Sequence, residues 1–433
     1  MNNSYFLDEM KQMLNSQDFD RFIRSLSEPL YKALRINRLK ADYQTISQEI
    51  ELLEKTVFDE DTYYLQSEDR PGKHPYHLAG LFYLQEPSAS MAVNALDIEE
   101  GDWVLDLCAA PGGKSTQILS KLNRTGFLLS NEYERKRANI LLSNIERFGC
   151  DNYIITNSKV EDLCPELSGV FDKVLVDAPC SGAGMFKKYP DSIIEYSPNL
   201  VMVNQKRQLH ILDYAYLTLK ENGIMVYSTC TFNKDENEEV VRLFLEKYPD
   251  MKLTDTDLTG GQPGFDEAGL TRRVFPYQGG EGHFVSRFVK TSAIKSAALK
   301  TIPFSKNGLT DSFIAENINE ELNYTIINNK IYSSKNNLLD LKANILRSGI
   351  LLGEIVKNRI EPAHHLFLSD YQFKKVYNTT DFKIINNYLS GLPIMEKGYK
   401  GYVQICFKGA AVGFGKGDGV QIKNKFPKGL RIV

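Results

Sequence analysis

Between about residues 81 and 290, short apolar runs alternate with longer amphipathic stretches. The runs at 103–107, 126–130, 153–156, 173–176 and 224–228 are short and apolar, and helix-like segments such as ERKRANILLSNIERF separate them. That rhythm predicts βαβ units and a parallel sheet covered on both faces. HFVSRFVK adds a late strand to it. Residues 1–80 mix helical patterns (FDRFIRSLSEPLYKAL) with RINRLK and an acidic run at 59–61, which predicts a small α/β module. Residues 291–312 are rich in Ser, Ala and Lys and weakly patterned, as a linker would be. NYTIINNKIYSS reads as a hairpin, and the last forty residues are Gly-punctuated β segments, a small barrel or sheet. The expected division is 1–80, 81–292, 293–375 (linker and an intermediate domain) and 376–433. The fold class expected is α/β, with a Rossmann-like central domain.

The chain has 433 residues, of which 42% are hydrophobic and 25% charged, enough for several globular cores. Its net charge of −3 hides an asymmetry. From residue 291 onward there are 20 Lys and Arg against 11 Asp and Glu, whereas the rest holds 32 against 44. A basic C-terminal third on an acidic body points to a polyanionic partner. None of the 6 cysteines forms a CxxC pair, so no metal is expected. No stretch approaches the roughly 20 apolar residues of a membrane span, and the N-terminus lacks a signal-peptide pattern. A cytoplasmic protein is expected, with no membrane partner.

Four segments carry chemistry. VLDLCAAPGGKSTQ places small residues between a strand ending at Asp106 and a helix opening near Lys114. Such a turn admits a ligand close to the backbone, at free helix N–H groups. It matches neither GxGxxG nor GxxxxGK[ST], so the ligand need not carry phosphate. The next strand, GFLLSNE, ends in Glu132, where an acid holds ribose hydroxyls in doubly wound sheets. Together these favour an adenosine-bearing cofactor. DKVLVDAPCSGAGMFKK then sets Asp177 and Cys180 at a strand's carboxyl edge, and GIMVYSTCTFNKDENEEVV does the same for Cys230. Cys150, Cys164 and Cys406 read as packing residues.

Two strand-end thiols, an acid and a methyl donor suit methylation at carbon 5 of a pyrimidine. That carbon becomes nucleophilic only after a thiolate adds to carbon 6. An acid near ring N3 assists by supplying a proton, and burial is expected to raise its pKa. Spacing leaves open which thiol attacks.

The four blocks together resemble the Sun (Fmu) family of RNA cytosine-5 methyltransferases, RsmF-like branch. RINRLK, YLQEPSAS, GEGHFVSRF and the tail GFGKGDGVQIKNKFPKGLRI are similar to further landmarks of that branch, the tail to its PUA-like module. The resemblance covers nearly the whole chain. It implies a class I methyltransferase domain using S-adenosyl-L-methionine, flanked by an N-terminal RNA-recognition module and a C-terminal PUA-like RNA-binding region. It implies cofactor contacts from Cys108, Ala109, Ala110, Pro111, Gly112, Gly113, Lys114, Glu132 and Asp177. It makes Cys230 the nucleophile, Cys180 the release cysteine and Asp177 the acid that meets the target base. Lys114 and Lys187 are expected helpers beside the cleft, or phosphate contacts. The family often has an acid near the adenine after the third strand. This chain reads TNSKVEDL there, and Asn157 is the candidate, through its carbonyl oxygen.

The substrate so implied is a cytosine in the decoding region of 16S rRNA, as free RNA or in the 30S subunit, with a consequence for aminoglycoside susceptibility. Lys416, Lys423, Lys425, Lys428 and Arg431 would hold RNA backbone. A monomer is expected. Two other readings stand beside this one: a transfer-RNA cytosine-5 methyltransferase, and a non-catalytic RNA-binding assembly factor.

Overall fold

The computed structural model describes residues 3–66 and 68–431. The first two residues of the N-terminal segment and the last two of the basic tail lie outside the described residues.

Five parallel strands form the centre of the molecule, in the order Tyr153–Thr156, Phe127–Asn131, Trp103–Asp106, Phe171–Asp177 and Leu219–Thr229. Val104, Leu105, Val174, Leu175 and Val176 are fully buried, as a sheet covered on both faces requires. The His283–Lys290 strand continues the sheet antiparallel to Leu219–Thr229. Strand order reverses between Trp103–Asp106 and Phe171–Asp177, which opens a crevice at their carboxyl ends.

The other sheet edge comes from far along the chain. Ile345–Ser348 pairs antiparallel with Tyr153–Thr156, so a C-terminal segment completes the central sheet. The stretch read as a linker is also packed: the Ala297 N–H donates to Ser168 O, and Thr301–Ile302 pairs with Leu338–Leu339. Ala297 and Leu299 lie against the same apolar core as Phe171 and Phe244, which fixes this stretch without periodicity of its own. The expected hairpin joins Tyr324–Ile327 to Lys330–Ser333. Its two turn residues, Asn328 and Asn329, have φ of 48° and 65°, a conformation asparagine tolerates well.

Near the N-terminus, Ala33–Ile36 pairs on one side with Thr62–Tyr64 and on the other with Phe82–Gln85. Leu34 and Ile36 of this sheet share one core with Ile385, Tyr388, Val403 and Ile405 of the C-terminal β region. Lys40 ties three parts together: its ammonium donates to Ala79 O, Arg147 O and Leu368 O at 3.0, 2.8 and 2.7 Å. The N-terminal helices Ser4–Met13 and Ser16–Ser25 bury Phe6, Met10 and Phe22 against Phe186, Phe232 and Phe275. Each such phenylalanine contributes about 1.5–3 kcal/mol. Phe186 and Phe232 flank the segments that carry Cys180 and Cys230, so these helices brace the thiol loops from behind.

Candidate active site

Asp106 and Asp177 are the last residues of their strands. Glu132 and Cys230 directly follow theirs. All four therefore stand at one carboxyl edge. A cavity of about 910 Å³ opens there. Asp106, Cys108, Ala109, Ala110, Pro111, Gly113, Lys114 and Asp177 line it on one side. Tyr31, Arg70, Lys73 and Glu86 of the N-terminal part, with Lys188 and Glu281, line the other. Gly112, Glu132, Asn157, Cys180 and Cys230 do not line the cavity itself.

The loop of small residues is held rigidly. Gly112 precedes the Gly113–Lys121 helix with φ 113°, the left-handed side that glycine enters freely. Arg137 donates to Ala110 O at 2.7 Å, and Asn144 to Pro111 O at 2.7 Å. From the opposite side Arg35 of RINRLK donates to Thr116 Oγ1 and Gln85 Oε1, both at 2.7 Å. Burial lowers the Arg35 guanidinium to about 10.

Two buried carboxylate atoms here accept no hydrogen bond among the described residues: Asp106 Oδ1 and Glu132 Oε2, the latter 3.4 Å from the Arg137 guanidinium. Asp106 Oδ2 accepts from Ser115, and Glu132 Oε1 from the Glu134 N–H. Unmatched buried acceptors are costly unless a ligand supplies donors. A cofactor with ribose hydroxyls and an ammonium group supplies them, so the donor set fits an adenosyl amino acid. Asn157 donates through Nδ2 to Glu132 O at 2.7 Å and Tyr133 O at 2.8 Å, which occupies its amide nitrogen.

The thiols meet: Cys180 Sγ and Cys230 Sγ are 3.4 Å apart. The hydrogen bond to Cys230, then burial, push the Cys180 thiol well above its ordinary value. A buried polar cluster fixes this approach. Glu236 accepts from the Ser181 N–H at 2.9 Å, from Gln208 at 2.9 Å and from Asn233 at 2.7 Å. Gln208 also donates to Pro179 O, and the Ser181 and Thr231 hydroxyls lie 2.8 Å apart. Cys150, Cys164 and Cys406 are buried elsewhere.

Asp177 departs from the sequence expectation. Burial raises its carboxyl, but Lys114 Nζ at 2.8 Å, His283 and the Ser228 hydroxyl at 2.7 Å outweigh burial. The net shift is downward, so Asp177 is an anion at neutral pH. The expected raised pKa belongs instead to Asp106, which burial pushes up to about 7. Lys187 also differs from its expected role as cleft helper. Its ammonium is 3.1 Å from Glu281, sits over the Tyr31 ring and donates to Pro29 O. It fastens the N-terminal part to the catalytic part, whereas Lys188 faces the cavity.

Two residues in recognised segments had no role from sequence. Glu86 of YLQEPSAS and His283 of GEGHFVSRF flank the cleft, with His283 3.8 Å from Asp177 and 3.9 Å from Glu86. For His283 the signal was only a titratable residue between Gly282 and Phe284 at the start of an apolar run, and for Glu86 an acid directly before Pro87.

The tail cations Lys416, Lys423, Lys425 and Lys428 are exposed. Lys423 pairs with Asp418 at 3.2 Å. No helix among the described residues is long and apolar enough to cross a membrane.

Comparison with known families accounts for most of the chain. Residues 93–289 match the model of 16S rRNA methyltransferase RsmB/F, and residues 3–87 the N-terminal domain of 16S rRNA methyltransferase RsmF. Residues 304–369 match the first C-terminal domain of RsmF, and 383–432 its PUA domain. The ribosomal RNA small subunit methyltransferase F of Vibrio vulnificus is 31% identical, across 98% of this chain and 96% of that protein. The protein of the same description from Erwinia tasmaniensis is 35% identical over 67% of this chain and 63% of its own length. Among solved structures, a methyltransferase homologue from Pyrococcus horikoshii is 27% identical, with a TM-score of 0.59, over 67% of this chain and 95% of its own.

Proposed function

The chain belongs to the 16S rRNA methyltransferase RsmB/F family, and on that premise we propose that it methylates carbon 5 of a cytosine in the decoding region of 16S rRNA. Support comes from one arrangement above all. Two free thiols 3.4 Å apart stand beside a carboxylate paired with a buried lysine, at the edge of a cavity built by the cofactor loop. S-adenosylmethionine, when bound, supplies the methyl group. Glu132 Oε2 and Asp106 Oδ1 would accept from its hydroxyls and ammonium, and Cys108, Ala109, Ala110, Pro111, Gly112, Gly113 and Lys114 would form its bed. Asn157, its amide nitrogen engaged by Glu132 O and Tyr133 O, would offer its carbonyl oxygen to the adenine.

Cys230 adds to carbon 6 of the cytosine. Cys180 lies within hydrogen-bond contact of the Cys230 sulfur, so it can act on the same adduct. The choice of Cys230 over Cys180 as nucleophile follows from the family resemblance. Once the methyl group is on carbon 5, the hydrogen there and the Cys230 sulfur must leave, and Cys180 assists that release. Asp177 meets the ring at N3. The target base is splayed out of its stack to reach this edge. The protein acts as a monomer, and the exposed tail lysines hold the flanking backbone, so affinity falls with salt.

Purified Cys180→Ala protein incubated with cofactor and 16S rRNA or 30S subunits tests the chemistry. A covalent RNA–protein species that disappears in the Cys180→Ala/Cys230→Ala double variant is expected. Full turnover by Cys230→Ala alone contradicts the assignment.

A further inference from the structure

Asp177 presents a chemical difficulty. A thiolate adding to carbon 6 drives electrons toward N3, which then needs a proton. Lys114 and Ser228 hold Asp177 as an anion, with no proton of its own to give.

His283 faces this anion. It opens the His283–Lys290 strand, next to the Phe284–Thr229 pair that leads into Cys230. Its side chain is 3% exposed. Both ring nitrogens lack a hydrogen-bond partner among the described residues. Nε2 is 3.8 Å from Asp177 Oδ1, and Nδ1 is 3.9 Å from Glu86 Oε1. The ring therefore lies between two carboxyl groups, about an ångström beyond hydrogen-bond length from each. The segment is tightly set: a Cβ on Gly282 would fall 2.5 Å from Phe232, and one on Gly184 would fall 2.8 Å from Cys230 O. A phenylalanine would fill such a site without two unmatched polar atoms, so packing alone does not account for an imidazole there. Burial, with Lys114 nearby, keeps the ring neutral, with one nitrogen a donor and the other an acceptor. Burial also raises the Glu86 carboxyl against the pull of its Ser88 and Glu281 hydrogen bonds.

We propose that Glu86 and His283 are positioning residues forming a proton relay onto Asp177, which closes when the target cytosine enters the cleft. The proposal rests on the reading of the reaction given above. Glu86, which lines the cavity, takes up a proton from the solvent there and passes it to Nδ1. The Nε2–H bond breaks and that proton goes to Asp177. Asp177 delivers its proton to N3 as the Cys230 sulfur pair forms the bond to carbon 6, the C5–C6 π pair moves to C4–C5, and the C4–N3 π pair takes the proton. On elimination N3 returns the proton through Asp177 and His283 to Glu86. The relay consumes no proton over a cycle and needs no further reagent.

The test compares wild type with His283→Gln and His283→Ala on 16S rRNA or 30S subunits, reading kcat, KM and cofactor affinity, with and without added imidazole. Glutamine keeps hydrogen-bonding groups but does not shuttle protons by tautomer exchange. His283→Gln is expected to lose roughly 100-fold in kcat while both KM and cofactor affinity stay within about twofold. Imidazole should restore a measurable part of kcat to His283→Ala and nothing to His283→Gln. An unchanged kcat in His283→Gln, or a loss in His283→Ala that imidazole does not relieve, overturns the relay while leaving the cytosine-5 reaction standing. Wild-type protein that forms no 5-methylcytosine overturns the reaction and the relay together.

Discussion

Asp106 and Asp177 end neighbouring parallel strands of one sheet, on the same edge of the same crevice. Their charge tendencies are opposite. Asp106 is fully buried, accepts from the Ser115 hydroxyl at 2.7 Å, and has its carboxyl pushed up to about 7. Asp177 keeps 29% side-chain exposure and has Lys114 at 2.8 Å, which holds it below its ordinary value. The contrast teaches that strand position gives an acid access to the cleft, while its charge is set by the cation that reaches it. One acid is thus suited to answering a cationic cofactor and the other to passing a proton.

Removing the acid of the pair should have the largest effect. Asp177→Asn is expected to lower single-turnover methyl transfer about 1000-fold, since it removes proton delivery at N3. A loss under tenfold would show that the contrast carries no chemistry. Next comes Lys114→Gln, which makes the two acids alike. Without the ammonium, burial raises the Asp177 carboxyl toward that of Asp106, and methyl transfer at pH 7 should fall roughly 100-fold. The pH–rate profile of this variant should shift upward on its acidic limb; an unshifted profile would deny Lys114 its role.

Asp106 predicts a smaller, binding-level effect. Its anionic form attracts the cationic cofactor, so cofactor affinity measured by calorimetry should rise up to about tenfold between pH 6 and 8. In Asp106→Asn that rise should be absent, and a persisting slope would assign it to another group. The last effect is on stability and has opposite signs at the two sites. The Asp106 carboxyl titrates higher folded than at its model value of 3.8, so its contribution is present below 3.8 and is lost as pH rises through about 7. The Asp177 carboxyl titrates lower folded, so its contribution is present above 3.8 and is lost as pH falls through the depressed value. In urea denaturation, Asp106→Asn should therefore gain on wild type from pH 4 to 8. Asp177→Asn should fall behind wild type above pH 4. For Asp106→Asn a difference on the order of 4 kcal/mol is expected, at about 1.4 kcal/mol per unit of the shift from 3.8 to about 7.

The parallel sheet and its strand-end groups were legible because each motif is contiguous: VLDLCAAPGG, DAPCSG and STC each set a strand, its end and its chemistry within a dozen residues. What sequence hid is long-range. Lys114 is 63 residues from Asp177, and its grip on that acid reverses the expected pKa. His283 reads locally as an ordinary strand-opening residue and acquires meaning only beside Glu86 and Asp177. Ile345–Ser348 carries too little pattern to announce that it completes the central sheet. The core shared by Leu34, Ile36, Tyr388 and Val403 joins residues more than 300 positions apart, beyond the reach of periodicity.

The most direct measurement is bisulfite sequencing of 16S rRNA from cells that lack the protein and are supplied with either wild type or Cys230→Ala. A decoding-region cytosine protected from conversion by wild type and fully converted with Cys230→Ala is the predicted result. Protection that persists with Cys230→Ala, or that wild type fails to produce, would contradict the account.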